Sequence, residues 1–332
     1  MSIKTPYLLF LGNAADPLAA KVAQGIKDWR PENCVGQLRL DDCNADLGLT
    51  DMTPAQAVAN GAKSMVVGVA NRGGVIDATW VAALIEAMEA GLDLAAGLHN
   101  KLADVPELAE AAKRLGREIH DVRHPSRSYP VAAGTKRSGK RLLAVGTDCS
   151  CGKMYSTLAI EKELRARGVK ADFRATGQTG ILITGDGVSV DAVAADFISG
   201  SVETHAPAND DDHWDIIEGQ GSLFHASFAG VTLGLIHGSQ PDALVLCHEP
   251  TRTHMRGLPD FGLPSIKECM EANLAAAKLT NKNAKFVGIA VNTSKLSDEE
   301  AKAYLAKTEE EFGLPTVDPV RTGVAAIVDN LS

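Results

Sequence analysis

A short apolar run, Arg141-Leu142-Leu143-Ala144-Val145, leads without a break into Gly146-Thr147-Asp148-Cys149-Ser150-Cys151-Gly152-Lys153-Met154-Tyr155, and a stretch of helical character, 156–164, follows. A buried strand, a glycine-bounded loop carrying a lysine, then a helix is the setting in which a phosphate-binding loop has meaning. The loop N–H groups and the helix N-terminus together make a site for phosphate oxygens, and Lys153 adds a point charge. One part differs from the usual pattern. Met154 stands where such loops carry a Ser or Thr whose hydroxyl binds Mg²⁺, and a thioether is a poor ligand for a hard cation. The loop is equipped to hold phosphates and poorly equipped to hold the metal that drives nucleotide hydrolysis.

Around this unit the chain alternates strands and helices. Apolar runs at 7–12, 64–70 and 92–96 read as strands, and helical spacing predicts helices over 16–29, 78–90 and 105–115. Further strands are expected at 215–218, 243–248 and 286–292. Alternation of this kind predicts an α/β fold built on parallel sheets covered by helices. Ligands in such sheets bind beyond the carboxyl ends of the strands, which puts Gly12-Asn13 and Asn71-Arg72-Gly73-Gly74 on a candidate rim. No G-x-G-x-x-G fingerprint accompanies them. The Pro-, Gly-, Ser- and charge-rich stretch 124–140 reads as a linker. We therefore expect one domain over 1–130, a linker over 131–140 and a second domain over 141–332. The basic cluster Lys136, Arg137, Lys140 and Arg141 is expected to be solvated.

At 332 residues there is ample chain for two cores. A net charge of −9 with no basic stripe argues against a nucleic-acid partner. No apolar run approaches the ~20 residues needed to cross a bilayer, and the N-terminus lacks a signal-peptide cleavage pattern. The six cysteines show no C-x-x-C pair, as expected for reduced thiols in a cytoplasmic protein. Cys149 and Cys151 read either as small, loop-compatible side chains or as a thiolate activated by the helix N-terminus. The cluster His205, Asp210, Asp211, Asp212 and His213 matches no metal-ligand spacing, so no metal site is expected there.

Read from Gly146, the loop is G-T-D-x-x-x-G-K, which resembles the loop of dethiobiotin synthetase and its relatives in the P-loop superfamily. Three ordered segments extend that likeness over 141–332: Arg174-Ala175-Thr176-Gly177-Gln178-Thr179-Gly180, Ile216-Ile217-Glu218-Gly219-Gln220-Gly221-Ser222 and Val287-Gly288-Ile289-Ala290-Val291-Asn292-Thr293. Together with His248-Glu249-Pro250-Thr251-Arg252, they also resemble, along the whole chain, a bacterial family whose characterised members are D-glutamate N-acetyltransferases. That resemblance implies a Rossmann-like N-terminal domain before a P-loop NTPase-like α/β domain, acetyl-CoA as donor and a D-amino dicarboxylate as acceptor. Loop residues 146–155 would bind the cofactor, and Arg174, Gln178 and Thr179 would lie on the substrate side. The implied partners are small molecules and a further copy of the chain, as homodimer or higher homo-oligomer.

The residues agree with it on one point. Coenzyme A carries a pyrophosphate and a 3′-phosphate, which this loop can hold without hydrolysing anything, so that no metal is required. Acetyl transfer to an amine needs a base, a polarised thioester carbonyl and an aligned acceptor. Asp148, Glu218, His225, His248 and Glu249 are candidate bases, and Lys153 a candidate polarising charge. Asp148 and Glu218 could equally be carboxylates that organise the loops. A dicarboxylate acceptor calls for arginine forks, with Arg252 and Arg256 first and Arg174 and Arg72 next. Two other readings remain open: an ATP-dependent ligase or kinase of the dethiobiotin synthetase sort, and a non-catalytic nucleotide- or CoA-sensing module.

Overall fold

The computed structural model describes residues 3–70, 74–125 and 127–331. Residues 71–73, including the candidate ligand Arg72, lie outside them. Contacts divide the chain into two compact units, one of 1–126 with 177–192, the other of 127–176 with 193–332.

The first unit holds β1 (Tyr7–Gly12), α1 (Lys21–Trp29), β2 (Cys34–Arg39), α2 (Pro54–Ala59), β3 (Ser64–Val67), α3 (Val81–Ala90), β4 (Asp93–Ala96), α4 (Pro106–Leu115) and β5 (Ile119–Asp121). Its sheet is all parallel, in the order β2-β1-β3-β4-β5. Continuous burial of β1 and β3 explains their unbroken apolar runs. Leu8, Phe10, Met65, Val67, Trp80 and Leu84 belong to one core beneath the helices. Two strands escape the sequence reading. β2 and β5 lie at the sheet edges, mostly half-buried, and carry polar residues in place of an apolar run. Helix α1 starts at Lys21 rather than residue 16. Residues 16–21 make i→i−3 turn bonds, Ala19 N–H to Asp16 O and Ala20 N–H to Pro17 O, in place of α-helical ones, and Ala19 O also accepts from Ala70 N–H beyond β3.

The second unit holds β6 (Lys140–Gly146), α5 (Lys153–Ala166), β7 (Ala171–Arg174), α7 (Ile198–His205), β8 (Trp214–Ile217), α8 (Ala229–Ser239), β9 (Ala243–His248), α9 (Ile266–Lys278), β10 (Lys285–Val291), α10 (Asp298–Phe312), β11 (Thr316–Val317) and α11 (Ala325–Asp329). All pairs are parallel, in the order β11-β10-β9-β6-β8-β7. Capping boxes at Ser265/Glu268 and Ser297/Glu300 start α9 and α10, each satisfying two orphan N–H groups. The remaining helix, α6 (Gln178–Thr184), falls by sequence within the second domain but packs with the first unit, against α1.

The basic cluster is only partly solvated: Lys136 and Lys140 are exposed, whereas Arg137 and Arg141 are held inside. Arg141 is fully buried and donates to the carbonyls of Arg137, Ser138 and Pro207. Arg137 donates to Ala206 O and Gly238 O, and burial lowers its guanidinium pKa to about 10. Lys136 pairs with Asp242 at 2.7 Å. A charge run reads as solvated because most of its partners are invisible locally: some are carbonyls of the turn just before Arg141, the others carbonyls and an acid 66 to 106 residues away.

Candidate active site

Strand β6 lies between β8 and β9, the point in the second sheet where strand order reverses. Loops leaving neighbouring strands diverge at such a point and open a crevice. The segments after β6, β8, β9 and β10 carry the candidate residues.

The loop after β6 is shaped by close approaches. Ser150 and Gly152 take positive φ, 51° and 107°. Cys151 Sγ packs over Gly146, 2.6 Å from where a Cβ there would sit, and it contacts the carbonyls of Asp148 and Cys247. Helix α5 then begins at Lys153, with Gly152 as an N-cap that offers no side chain and no acidic residue in the first turn. An uncapped N-terminus of this length favours an anion. Lys153 is buried, its Nζ donating to Asp148 O at 2.7 Å. The hydroxyls of Ser156 and Thr157 turn back onto the carbonyls of Gly152 and Lys153. Neither replaces the hydroxyl missing at Met154.

Asp148 and Arg252 form a clip across the loop. Asp148 is 1% exposed. Its Oδ1 accepts from Cys149 N–H and its Oδ2 from Arg256 N–H at 2.8 Å and Arg252 Nη1 at 2.5 Å. Arg252 also donates to Cys149 O, Ser150 O and Glu249 Oε2. Glu249, 5% exposed, accepts from Lys295 Nζ at 2.8 Å as well. Burial works against its ionisation, but Lys295 and Arg252 outweigh it and hold the carboxyl below the usual range. Asp148 and Glu249 are therefore both engaged by groups of the protein itself. Arg252, expected as a fork for a substrate carboxylate, spends both terminal nitrogens on the loop and these two acids.

Glu218 follows β8 and is 4% exposed. It accepts from Thr176 N–H at 2.9 Å and Gln220 Nε2 at 3.2 Å, joining the ends of β7 and β8. Next to it, Gly219 lies so close to the loop that a Cβ would sit 1.7 Å from Ala144 O and 2.8 Å from Lys153 Cδ. His248 ends β9, half-buried, with Nδ1 3.0 Å from Thr147 Oγ1 and its ring stacked on Tyr304. Burial pushes its imidazole down to about 4, with Glu249 opposing and Arg252 adding to the shift. Burial raises the Cys149 thiol, with Lys153 opposing it. His225 is buried and satisfied, one nitrogen at 3.1 Å from Arg256 O and the other accepting from Ser227 N–H.

The substrate-side candidates scatter. Arg174 Nε donates to buried Asp215 at 2.7 Å, and Asp172 is 3.5 Å away. Gln178 and Thr179 open α6 in the first unit, where Gln178 Oε1 accepts from Arg123 and its side chain packs on Gly97. Arg256 is exposed, and its backbone rather than its guanidinium meets Asp148.

Two family models match the chain: a Rossmann-like domain of unknown function, DUF1611_N, over residues 34–125, and the P-loop domain DUF1611 over residues 130–328. The chain belongs to the DUF1611 family. It is similar to a D-glutamate N-acetyltransferase of Tritonibacter scottomollicae, 62% identical over 99% of both chains. A protein of the same name from a Pseudoalteromonas species is 52% identical over the full length of both. The crystal structure of a DUF1611 family protein from Anabaena variabilis superposes with a TM-score of 0.86 at 32% identity, covering 98% of this chain and 99% of that one.

Sequence reasoning passed over Lys295 and Tyr304, which lie beside Glu249 and His248, and named Asn292 only within the segment 287–293. Lys295 neutralises Glu249, Tyr304 stacks on His248, and the Asn292 Cβ lies 4.0 Å from where a Cβ on Gly152 would sit. The capping box at Ser297 was a usable signal for the helix that carries Tyr304.

The His248 shift has a consequence for stability. Its folded pKa of about 4 lies below the ordinary 6.5, so the unfolded chain takes up a proton first as pH falls. Stability present above pH 6.5 is lost between 6.5 and 4, by up to about 3 kcal/mol. Denaturant titrations across that window should show the loss, and His248→Gln should remove most of that slope.

Proposed function

We propose that this protein moves the acetyl group of acetyl-CoA to the amino group of D-glutamate. Full-length identity of 62% to a D-glutamate N-acetyltransferase carries the reading. The loop geometry supports it: an uncapped helix N-terminus, a buried lysine and glycines at the points of closest approach suit the phosphates of coenzyme A. No hydroxyl occupies the Mg²⁺ position at Met154, which favours gripping phosphates over hydrolysing them. No helix among the described residues is long and apolar enough to cross a membrane, consistent with work on a small-molecule pool in the cytoplasm.

In this reading the acceptor ammonium loses its proton to His248. Asp148 and Glu249 are clipped by Arg252, and Glu218 bridges two loops, whereas His248 ends a strand beside the loop; burial makes its imidazole a weak base, and the negative charge of a dicarboxylate acceptor would raise it toward the working range. As the nitrogen attacks the thioester carbonyl, the C–S bond breaks, the nitrogen's second proton passes to the departing sulfur, the product amide keeps the acetyl group, and coenzyme A leaves as the thiol. His248→Gln should lower kcat by about 10²–10⁴-fold with a smaller effect on KM, whereas Glu218→Gln should act mainly on stability.

The test is thiol release from acetyl-CoA with D- and L-amino acids offered in parallel, and mass detection of the N-acetyl product. Release that requires D-glutamate is expected. No release with any amine, together with ADP formation from ATP, Mg²⁺ and a carboxylic acid, would replace this reading with an ATP-dependent ligase. Lys153→Met should raise KM for acetyl-CoA by about 10–100-fold, the worth of one charge-assisted contact to phosphate. KM for D-glutamate should move little.

A further inference from the structure

Among the described residues, two groups of side chains bring metal-ligating atoms within 4.8 Å of one another: Asp148, Cys149 and His225 beside the phosphate loop, and Asp93, Glu118 and His120 in the first unit. The first is already committed, since both oxygens of Asp148 and both nitrogens of His225 are hydrogen-bonded. In the second, both oxygens of Asp93 are hydrogen-bonded too, but one histidine nitrogen is not. His120 is 7% exposed, and its Nε2 has no hydrogen-bond partner, although Glu118 Oε2 lies 3.4 Å away. A buried ring nitrogen without a partner costs free energy unless something satisfies it.

We propose that Asp93, Glu118 and His120 form a binding site for a divalent transition-metal ion of the zinc class, with the fourth position open to water. One imidazole and two carboxylates are a donor set zinc accepts. Zinc bonds of about 2.0–2.1 Å at tetrahedral angles put ligand atoms roughly 3.3–3.5 Å apart, the separation of His120 Nε2 and Glu118 Oε2. Asp93 is oriented in advance, its Oδ1 accepting from Glu118 N–H at 2.9 Å. The ammonium of Lys4 marks the place for positive charge, 2.8 Å from Asp93 Oδ2 and 3.5 Å from Glu118 Oε2. Its side chain is 55% exposed and free to swing into water when a metal ion takes over the carboxylates. Asp93 opens β4, His120 lies in the three-residue edge strand β5, and Glu118 precedes it. An ion here pins a short edge strand to its neighbour, away from any role in acetyl transfer.

The full-length protein, stripped with chelator, would be titrated with Zn²⁺ by calorimetry and with Co²⁺ by visible absorption, and melted with and without Zn²⁺. One ion per chain and a rise in melting temperature are expected. Two variants move the affinity in opposite directions. His120→Gln should weaken Zn²⁺ binding at least tenfold, whereas Lys4→Met, which removes the competing ammonium, should tighten it by about fivefold. Cys149→Ser should leave the stoichiometry unchanged. Equal affinity in the wild type and His120→Gln, no tightening in Lys4→Met, or loss of the ion in Cys149→Ser would each overturn the site. Acetyl transfer does not enter this readout, so the two proposals stand or fall separately.

Discussion

Arg252→Ala is expected to destabilise the protein by about 3–5 kcal/mol and to abolish acetyl transfer. The guanidinium meets two nearly buried carboxylates, Asp148 and Glu249, and two loop carbonyls, Cys149 O and Ser150 O. Removing one partner of a buried ion pair leaves uncompensated charge, which costs far more than the pair itself contributes. Ser150 aggravates the loss, because its positive φ of 51° is held only while neighbouring contacts enforce it. Denaturant unfolding measures the stability, and acetyl-CoA titration reads the loop. Arg252→Lys should recover only part of both, since an ammonium cannot span the acceptors a planar fork reaches. Adding Asp148→Asn to Arg252→Ala should destabilise less than the sum of the two changes, because the amide removes one stranded charge. A stable, active Arg252→Ala enzyme would show that the clip is dispensable.

Gly219→Ala should be nearly as damaging through sterics alone. The added methyl would lie 1.7 Å from Ala144 O, a backbone atom of β6, and 2.8 Å from Lys153 Cδ. Backbone cannot rotate aside as a side chain can, so the loop after β8 must move away from the phosphate loop. Overpacking of this kind costs about 1–3 kcal/mol or more, and it displaces Lys153 in the process. We expect KM for acetyl-CoA to rise beyond saturable concentrations. The control is Gly230→Ala in α8, where a Cβ would meet nothing within 4 Å. There helix propensity should dominate and the change should stabilise by up to about 1 kcal/mol. Equal behaviour of the two variants would remove the steric argument.

The sequence showed its architecture wherever burial was continuous. β1 and β9 run between the residues at which their apolar stretches begin and end, because both strands are covered on two faces. Edge strands gave no such signal: β2 is mostly half-buried and mixes polar with apolar residues, and β5 and β11 are only three and two residues long. The phosphate loop was legible because its chemistry is local, packed into 146–155. Roles resting on distant partners were not. The neighbourhood of Arg252 in sequence suggests a strand-end arginine facing a ligand, yet its decisive partner, Asp148, lies 104 residues away. Likewise, nothing near Arg141 announces a buried guanidinium, because the carbonyls that hold it come from a folded turn and from Pro207.

Helix α6 has a practical bearing on any attempt to halve this protein. The chain passes from the first unit to the second, returns for residues 177–192, and leaves again, so it is laced rather than strung. A single cut near residue 130 yields a front fragment stripped of the helix that covers α1. It also yields a back fragment carrying that helix with no α1 to lie on. Each fragment would bare an apolar seam that the intact polypeptide keeps closed, and only co-expression of both pieces would be expected to restore soluble material.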